Sequence, residues 1–291
     1  MMQGTVPNTV PQSIEFPARL AKRSSQSVRR RYDSEAARSL LRANAWDDLD
    51  KLFTLAAQSL HGHKGRTVSR VELHQPTGVA VSAYVKLNWG RRRLVPRMSD
   101  MKTGQAFQSL PEREWRGIAE LRSLGFFVPE RLALLQRGWV WFQEAVVIQS
   151  VRPPFSWDEL IRTGRWETLS KIDQEGILEG VVDAMQRIHQ AGLGWRGTCT
   201  RHFFPEQTPD GNWQFWLIDC EGIHRKVTAR NIARDYRKLN RALAISGSDA
   251  ATLNAFERLT DRAQQLRSHN WSPQIESAQP LALNPALKAS T

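Results

Sequence analysis

The chain is poor in everything that would staple it or let it cross a membrane. Only two cysteines, Cys199 and Cys220, occur in 291 residues. That is too few for a disulfide framework, and reduced thiols in a cytosol are the expectation. No uninterrupted apolar run exceeds four residues, as in Trp139-Val140-Trp141-Phe142, so no segment can span a bilayer as a helix. The apolar stretch of a secretory signal is missing from the N-terminal region, and no internal repeat is found. Acidic residues are the scarcer charge: 29 Asp+Glu stand against 41 Lys+Arg, a formal net charge of +12. Such an excess predicts an acidic partner, whether nucleic acid, nucleotide, anionic lipid or phosphorylated glycan. Zinc-finger and RNP signatures are absent, and the 11 tryptophans mostly fall on apolar stripes, which makes nucleic acid the weakest of these.

What is present is a globular composition, 41% apolar and 24% charged. It excludes a wholly disordered chain and can fill the core of one large bilobal domain or two small ones. Residues 1–33 read as a flexible basic leader, in which Arg19, Lys22, Arg23, Arg29, Arg30 and Arg31 face a single acid, Glu15, before Asp33. Two readings of it stand, a solvated leader and an arm for polyanions or a membrane surface. Residues 268–291 lack periodicity and read as a loose tail. Between them, Pro153-Pro154 divides the chain into halves at 34–150 and 151–267.

In the first half, Ala37, Leu40, Leu41, Leu49, Leu52 and Phe53 predict helical structure broken near Asn44. His61-Gly62-His63-Lys64-Gly65 reads as a turn, since no third ligand is spaced to make a metal site with the two histidines. Val68–Leu73 and Val79–Asn88 predict a hairpin around Pro76-Thr77-Gly78. In its second strand Lys86 falls on the polar face with Ser82, Tyr84 and Asn88. A basic stretch, Arg91–Phe107, leads to a helix that Ser109-Leu110-Pro111-Glu112 would cap and Gly125 would end. Glu114 lies on that helix's apolar stripe with Ile118 and Leu121, so it points inward and needs a cation, for which Lys86 is the obvious candidate. Trp139–Phe142 predicts a buried strand ending near Gln143-Glu144. In the second half, Ile177, Leu178, Val181, Val182, Met185 and Ile188 make a helix stripe. A polar loop at 195–202 follows, then a strand Trp213–Ile218 that stops at Asp219, then helical patterns over 231–243 and 249–266.

The order of strand-Lys, helix-Glu, strand, helix, polar loop and strand-Asp is that of a protein-kinase-like fold. Five strings narrow it: Tyr84-Val85-Lys86; Arg113-Glu114-Trp115 with Leu121-Arg122-Ser123-Leu124-Gly125; Ile188-His189-Gln190-Ala191-Gly192; Arg201-His202-Phe203; and Leu217-Ile218-Asp219. Over roughly residues 60 to 245 the chain resembles the lipopolysaccharide core heptose kinases of the Kdo/WaaP type. The resemblance implies an α+β, bilobal kinase-like fold with a small β-rich N-lobe and a larger, mostly helical C-lobe. It also implies ATP and Mg²⁺ as cofactors and transfer of the γ-phosphate to a sugar hydroxyl of the lipopolysaccharide core. The expected location is cytoplasmic, on the inner face of the inner membrane.

Carried over by position, Lys86 would contact the α/β-phosphates with Glu114 holding it. Gly62, Gly65 and Glu144 would border the nucleotide, Arg196 would belong to the catalytic loop, and His202 and Asp219 would hold the metal. Glu221 is a further candidate ligand. The departures lie in the loop and the cleft. Where the family has His-Arg-Asp the sequence has Trp195-Arg196-Gly197, and glycine cannot accept a proton; a missing general base typically costs about 10²–10⁴ in rate. The glycine-rich loop is thin, and Tyr84 lies over the expected adenine position. Three readings follow: a weakened phosphotransferase; a pseudokinase that acts as scaffold or regulator in envelope biogenesis; and, weakest, a basic nucleic-acid-binding protein.

Overall fold

The computed structural model describes residues 27–54, 61–63, 65–75, 77–91, 98–138, 141–225 and 227–270. Strand β1 (Arg29–Tyr32) is followed by helix α1 (Glu35–Ala43). The Ser34 hydroxyl starts α1 by accepting from the Ala37 amide at 3.1 Å, which satisfies a donor that has no partner inside the helix. The expected break at Asn44 is also a latch. Its side-chain nitrogen donates to the His74 carbonyl at 2.9 Å and its oxygen accepts from the His74 amide at 2.8 Å. Then come α2 (Leu49–Thr54), β2 (His61–His63), β3 (Arg66–His74), β4 (Ala80–Arg91), α3 (Met98–Lys102), α4 (Leu110–Ser123), β5 (Arg131–Arg137) and β6 (Trp141–Gln149). The strands form one antiparallel sheet in the order β1-β5-β6-β4-β3-β2.

Strand alternation gives this sheet two different faces. Ala83, Val85 and Leu87 of β4 are fully buried against Leu41, Leu49, Leu52 and Phe53 of α1 and α2. Lys86 points to the other face, opposite Val68 on β3 and Val146 on β6. Helix α4 is associated with that second face. The Ser109–Glu112 capping box forms as its spacing predicts, with the Glu112 amide donating to the Ser109 hydroxyl at 3.2 Å and Glu112 accepting from the Ser109 amide at 3.0 Å.

Beyond Gln149 the chain turns helical: α5 (Trp157–Arg162) and α6 (Lys171–Gln190), followed by the short strand β7 (Leu193–Trp195). A hairpin of β8 (Phe203–Gln207) and β9 (Trp213–Leu217) and a short strand β10 (Ile223–Arg225) precede α7 (Ala229–Ser246) and α8 (Ala250–Asn270). The stripe on α6 lies in the core as its period requires, and Ile177, Val181, Met185 and Ile188 are wholly buried. Truncating Ile177, Met185 or Ile188 to alanine would cost about 2–5 kcal/mol. The same core contains Trp115, Ile118 and Leu121 of α4 and Val146 of β6, so α4 joins the sheet to the helical half.

Several expectations change. Arg29–Tyr32, assigned to the flexible leader, is edge strand β1, with Arg31 opposite Leu134. Its bonds are main-chain and its side chains mostly face solvent, so the arginine-rich composition hides the strand. Helix α8 continues to Asn270, past the start of the expected tail. His61–His63 is a strand rather than a turn, with Gly62 opposite Thr67. Strand β6 runs to Gln149, well past Glu144, because Ala145–Ile148 is buried on both faces and carries no alternation. Leader residues 1–26, Arg92–Arg97, Trp139-Val140 and tail residues 271–291 lie outside the described residues.

Candidate active site

The inward carboxylate on α4 meets the strand lysine. Lys86 Nζ lies 3.1 Å from Glu114 Oε1 and 2.8 Å from Asp219 Oδ1, joining β4, α4 and the turn after β9. Glu114 is fully buried and Lys86 nearly so. Burial alone would strip the lysine's proton; Glu114, Asp219 and Glu221 outweigh it and hold its pKa above the ordinary value. Burial likewise opposes ionisation of Asp219, yet Lys86 and His202 hold its carboxyl well below the usual range. The site is therefore a charged cluster with Glu114 and Lys86 at its buried end and Asp219, Glu221 and Arg66 partly open to solvent. Fixed charges there act on a ligand with less screening than on an open surface.

Backbone geometry aims the acid. Asp219 takes the left-handed conformation, φ +57° and ψ +50°, which costs a non-glycine residue about 1–2 kcal/mol and is common at functional turns. The turn is pressed against α4 at Gly117, where a Cβ would lie 2.0 Å from the Cys220 carbonyl oxygen. Across the same contact, the Glu221 amide donates to Glu114 Oε2 at 3.0 Å. Glu221, suspected as a ligand, does face Asp219: carboxylate oxygens of Glu114, Asp219 and Glu221 lie within 4.8 Å of one another. Burial and the neighbouring Asp219 push the Glu221 carboxyl up, against the pull of Arg66. Arg66, the first residue of β3, is a cation that the sequence did not single out. It reaches Glu221 Oε2 at 2.9 Å and Asp219 Oδ1 at 3.8 Å. Three carboxylates gathered this closely suit a hard divalent cation, and Lys86 and Arg66 beside them suit phosphate oxygens.

The loop after β7 is fixed from three sides. Asp235 of α7 is fully buried; it accepts from the Trp195 amide at 3.1 Å and lies 3.4 Å from His189 Nε2. His202 stacks on Trp195 with ring centroids 5.8 Å apart, and its Nε2 lies 3.4 Å from Asp219 Oδ2 and 3.3 Å from Cys199 Sγ. Burial opposes protonation of His202, but these two partners raise its pKa to about 9. A metal taken up by this nitrogen would have to displace its proton. Arg196 donates to Asp100 of α3 at 2.9 Å, and Asp100 is also held by Arg113 of α4 at 3.1 Å. The loop and α4 are thus clamped through one carboxylate. Gly197 sits at φ +96°, and a Cβ there would meet no atom within 4 Å. Among the described residues there is room for a side chain at Gly197, and the backbone angle is what resists one.

The remaining candidates are spread out. Gly65, at φ +80°, precedes Arg66 at the rim of the cleft, and a Cβ on it would lie 2.8 Å from the Trp89 carbonyl. Gly62 lies within β2. Glu144 is buried on β6 opposite Asn88 and accepts from Gln136 Nε2 at 3.2 Å. It is not among the residues lining the small cleft around Lys86, which Arg66, Asn88, Pro111 and Val146 border. Tyr84 packs against the larger core, opposite Ile148. Asp235 did carry a sequence signal, an acid on the apolar stripe of Ile232, Tyr236, Leu239 and Leu243, the same signal that identified Glu114. Arg66 had none, because its partner Glu221 lies 155 residues away, and neither did the link from Asp100 to Arg196 across 96 residues.

No curated protein matches the chain. Among solved structures it is similar to one of WaaP in complex with acyl carrier protein, at 17% sequence identity and a TM-score of 0.58, covering 82% of this chain and 92% of that one. The likeness establishes the kinase-like fold. The description of the lipopolysaccharide kinase (Kdo/WaaP) family matches residues 53–264, a span that takes in Lys86, Glu114, the loop at 195–202 and Asp219. The chain therefore belongs to the lipopolysaccharide kinase (Kdo/WaaP) family.

Proposed function

We propose that this protein binds ATP with Mg²⁺ between its sheet and its helical half and transfers the γ-phosphoryl group, at reduced rate, to a sugar hydroxyl of the lipopolysaccharide core. The observation that carries the reading is the Lys86–Glu114–Asp219 cluster with Arg66 and Glu221 around it. Lys86 and Arg66 would bind phosphate oxygens, and Glu114 would keep the lysine aimed at them. Asp219, Glu221 and His202 would hold the cation, which when bound neutralises charge on the phosphates. Phosphoryl transfer rests on positioning and charge stabilisation, so it weakens without Gly197's missing carboxylate but does not vanish. The net charge of +12 suits an anionic acceptor at the cytoplasmic face of a membrane.

A second reading is a nucleotide-binding pseudokinase that serves as scaffold or regulator in envelope biogenesis. Gly197 favours it, and so does Asp100, which is engaged by Arg113 and Arg196 rather than offered to an acceptor. Two assays separate the readings: thermal shift with ATP and Mg²⁺, and transfer of labelled phosphate to dephosphorylated lipopolysaccharide. The first reading expects a nucleotide shift and slow transfer, both lost in Lys86→Ala and Asp219→Ala. A shift without transfer would establish the pseudokinase. Transfer that survives Asp219→Ala would overturn the site.

A further inference from the structure

We infer that Arg66 guards the carboxylates of the candidate site against a bare divalent cation and releases them when nucleotide phosphates offer its guanidinium another anion. It is thereby a positioning residue that makes metal and nucleotide bind as a pair. The inference rests on the nucleotide and metal binding proposed above and adds how the two depend on each other.

All six carboxylate oxygens of Glu114, Asp219 and Glu221 are engaged within the chain. Glu114 presents Oε1 to Lys86 at 3.1 Å, and its Oε2 accepts from the Glu221 amide at 3.0 Å. Asp219 presents Oδ1 to Lys86 at 2.8 Å and Oδ2 to His202 Nε2 at 3.4 Å. Glu221 is taken at both oxygens by the Arg66 fork, Nη1 on Oε1 and Nη2 on Oε2, each at 2.9 Å. Nη2 also lies 3.8 Å from Asp219 Oδ1, so the guanidinium bridges two of the acids. Planar, two-pronged pairing of this kind is the strong form of a cation–carboxylate contact. A bare divalent cation that settles on these oxygens must first displace one of the chain's own partners.

Burial decides which partner yields. The Lys86 side chain is 13% exposed and held by the fully buried Glu114, and that of His202 is 5% exposed and stacked on Trp195. The Arg66 side chain is 30% exposed. Its backbone has no need to move. The Trp89 amide donates to the Gly65 carbonyl at 2.9 Å, and Arg66 is paired opposite Asn88 at the start of β3. The long side chain alone turns, beside a cleft that Lys86, Glu114 and Glu221 also line. Displaced by a bare cation, the guanidinium exchanges Glu221 for water and stands near a divalent charge of its own sign. With nucleotide present it moves onto phosphate oxygens, which accept the same fork, and leaves Glu221 and Asp219 to the cation. Each ligand then strengthens the other by the same factor, as linkage requires.

The test is titration of bare Mn²⁺ into the full chain without nucleotide, with the free ion followed by electron paramagnetic resonance. Wild type should bind the ion weakly, and Arg66→Gln should bind it about tenfold more tightly. Arg70→Gln removes an equal charge from an exposed position on the same strand and should leave Mn²⁺ affinity unchanged. A purely structural Arg66 would lower Tm in its variant without improving the hold on a metal. Calorimetry then compares ATP binding with Mn²⁺ and with EDTA. The gain from metal should be about tenfold or more in wild type and shrink to about threefold or less in Arg66→Gln. Where Arg66→Gln fails to fold, Arg66→Lys carries the test; it keeps the charge, loses the fork and should gain about threefold for bare Mn²⁺. Equal Mn²⁺ affinity in wild type and variant, an equal gain in Arg70→Gln, or a metal effect on ATP untouched by the substitution would overturn the inference. Tighter Mn²⁺ in Arg66→Gln, with nucleotide binding but no transfer in wild type, would sink the kinase reading and leave the guard standing.

Discussion

The two sides of the candidate site are built very differently. On the side proposed to hold phosphate, Lys86, Glu114, Asp219, Glu221 and Arg66 come from four separate stretches of chain and are linked by cation–carboxylate ion pairs. On the side proposed to meet the acceptor, the loop from Trp195 to His202 is anchored by Asp235 and by Asp100, yet Gly197 presents no functional group. An anchored loop with a bare glycine at its centre, set beside a dense charged cluster, separates two demands of the proposed reaction: holding a polyphosphate and activating a hydroxyl. The first needs opposed charges brought out of water together; the second needs one carboxylate in one place.

The largest break in this comparison should come from the phosphate side. Lys86→Ala leaves Glu114 buried with its cation gone, and urea denaturation should show a loss of about 3–5 kcal/mol. A loss no greater than that of an exposed lysine would show that the cluster does not hold the two halves together.

Asp100→Asn tests the clamp and should cost about 1–3 kcal/mol near neutral pH, since it removes charge-assisted bonds to Arg113 and Arg196. The pH dependence has a definite sign. Burial opposes ionisation of Asp100, but bonds to Arg113 and Arg196 hold its pKa below the ordinary value. Its contribution is present above the unfolded carboxylate range near pH 4 and fades as pH falls through the lowered folded value. The gap between wild type and variant should therefore narrow in acid, and a gap independent of pH would remove the clamp.

Gly197→Asp sharpens the contrast with the smallest effect on stability. Open space at the Cβ leaves only the φ of +96° to resist, so the loss should be about 1–2 kcal/mol, with nucleotide-induced thermal shift unchanged. Labelled transfer should rise. A variant that folds and binds nucleotide yet transfers no faster would show that the loop lacks more than a base.

Local period carries a good part of this molecule in its sequence. Glu114 and Lys86 declare themselves through strand and helix faces, the capping box dates the start of α4, and Asp219 stands out by stopping an apolar strand. Edge strand β1 is silent because main-chain pairing needs no side-chain pattern. Strands β5 and β8 are hard to read for related reasons, the first being a short run buried on both faces. Arg66 and Asp100 are silent for another reason: ion pairs across the fold leave no trace in neighbouring residues. Glu144 shows how a buried acid can serve its own sheet as well, since it accepts from Gln136 on the neighbouring strand.

Gly117 has a mechanical consequence. With the Cys220 carbonyl where a side chain would stand, and the Glu221 amide bonded to Glu114, α4 and the Asp219 turn form a single lever. Any ligand that draws Asp219 toward itself must carry Glu114 along. The lysine's holder and the acid beside it then advance or retreat as one rigid piece, and the cleft has no gear in which only one of them is engaged.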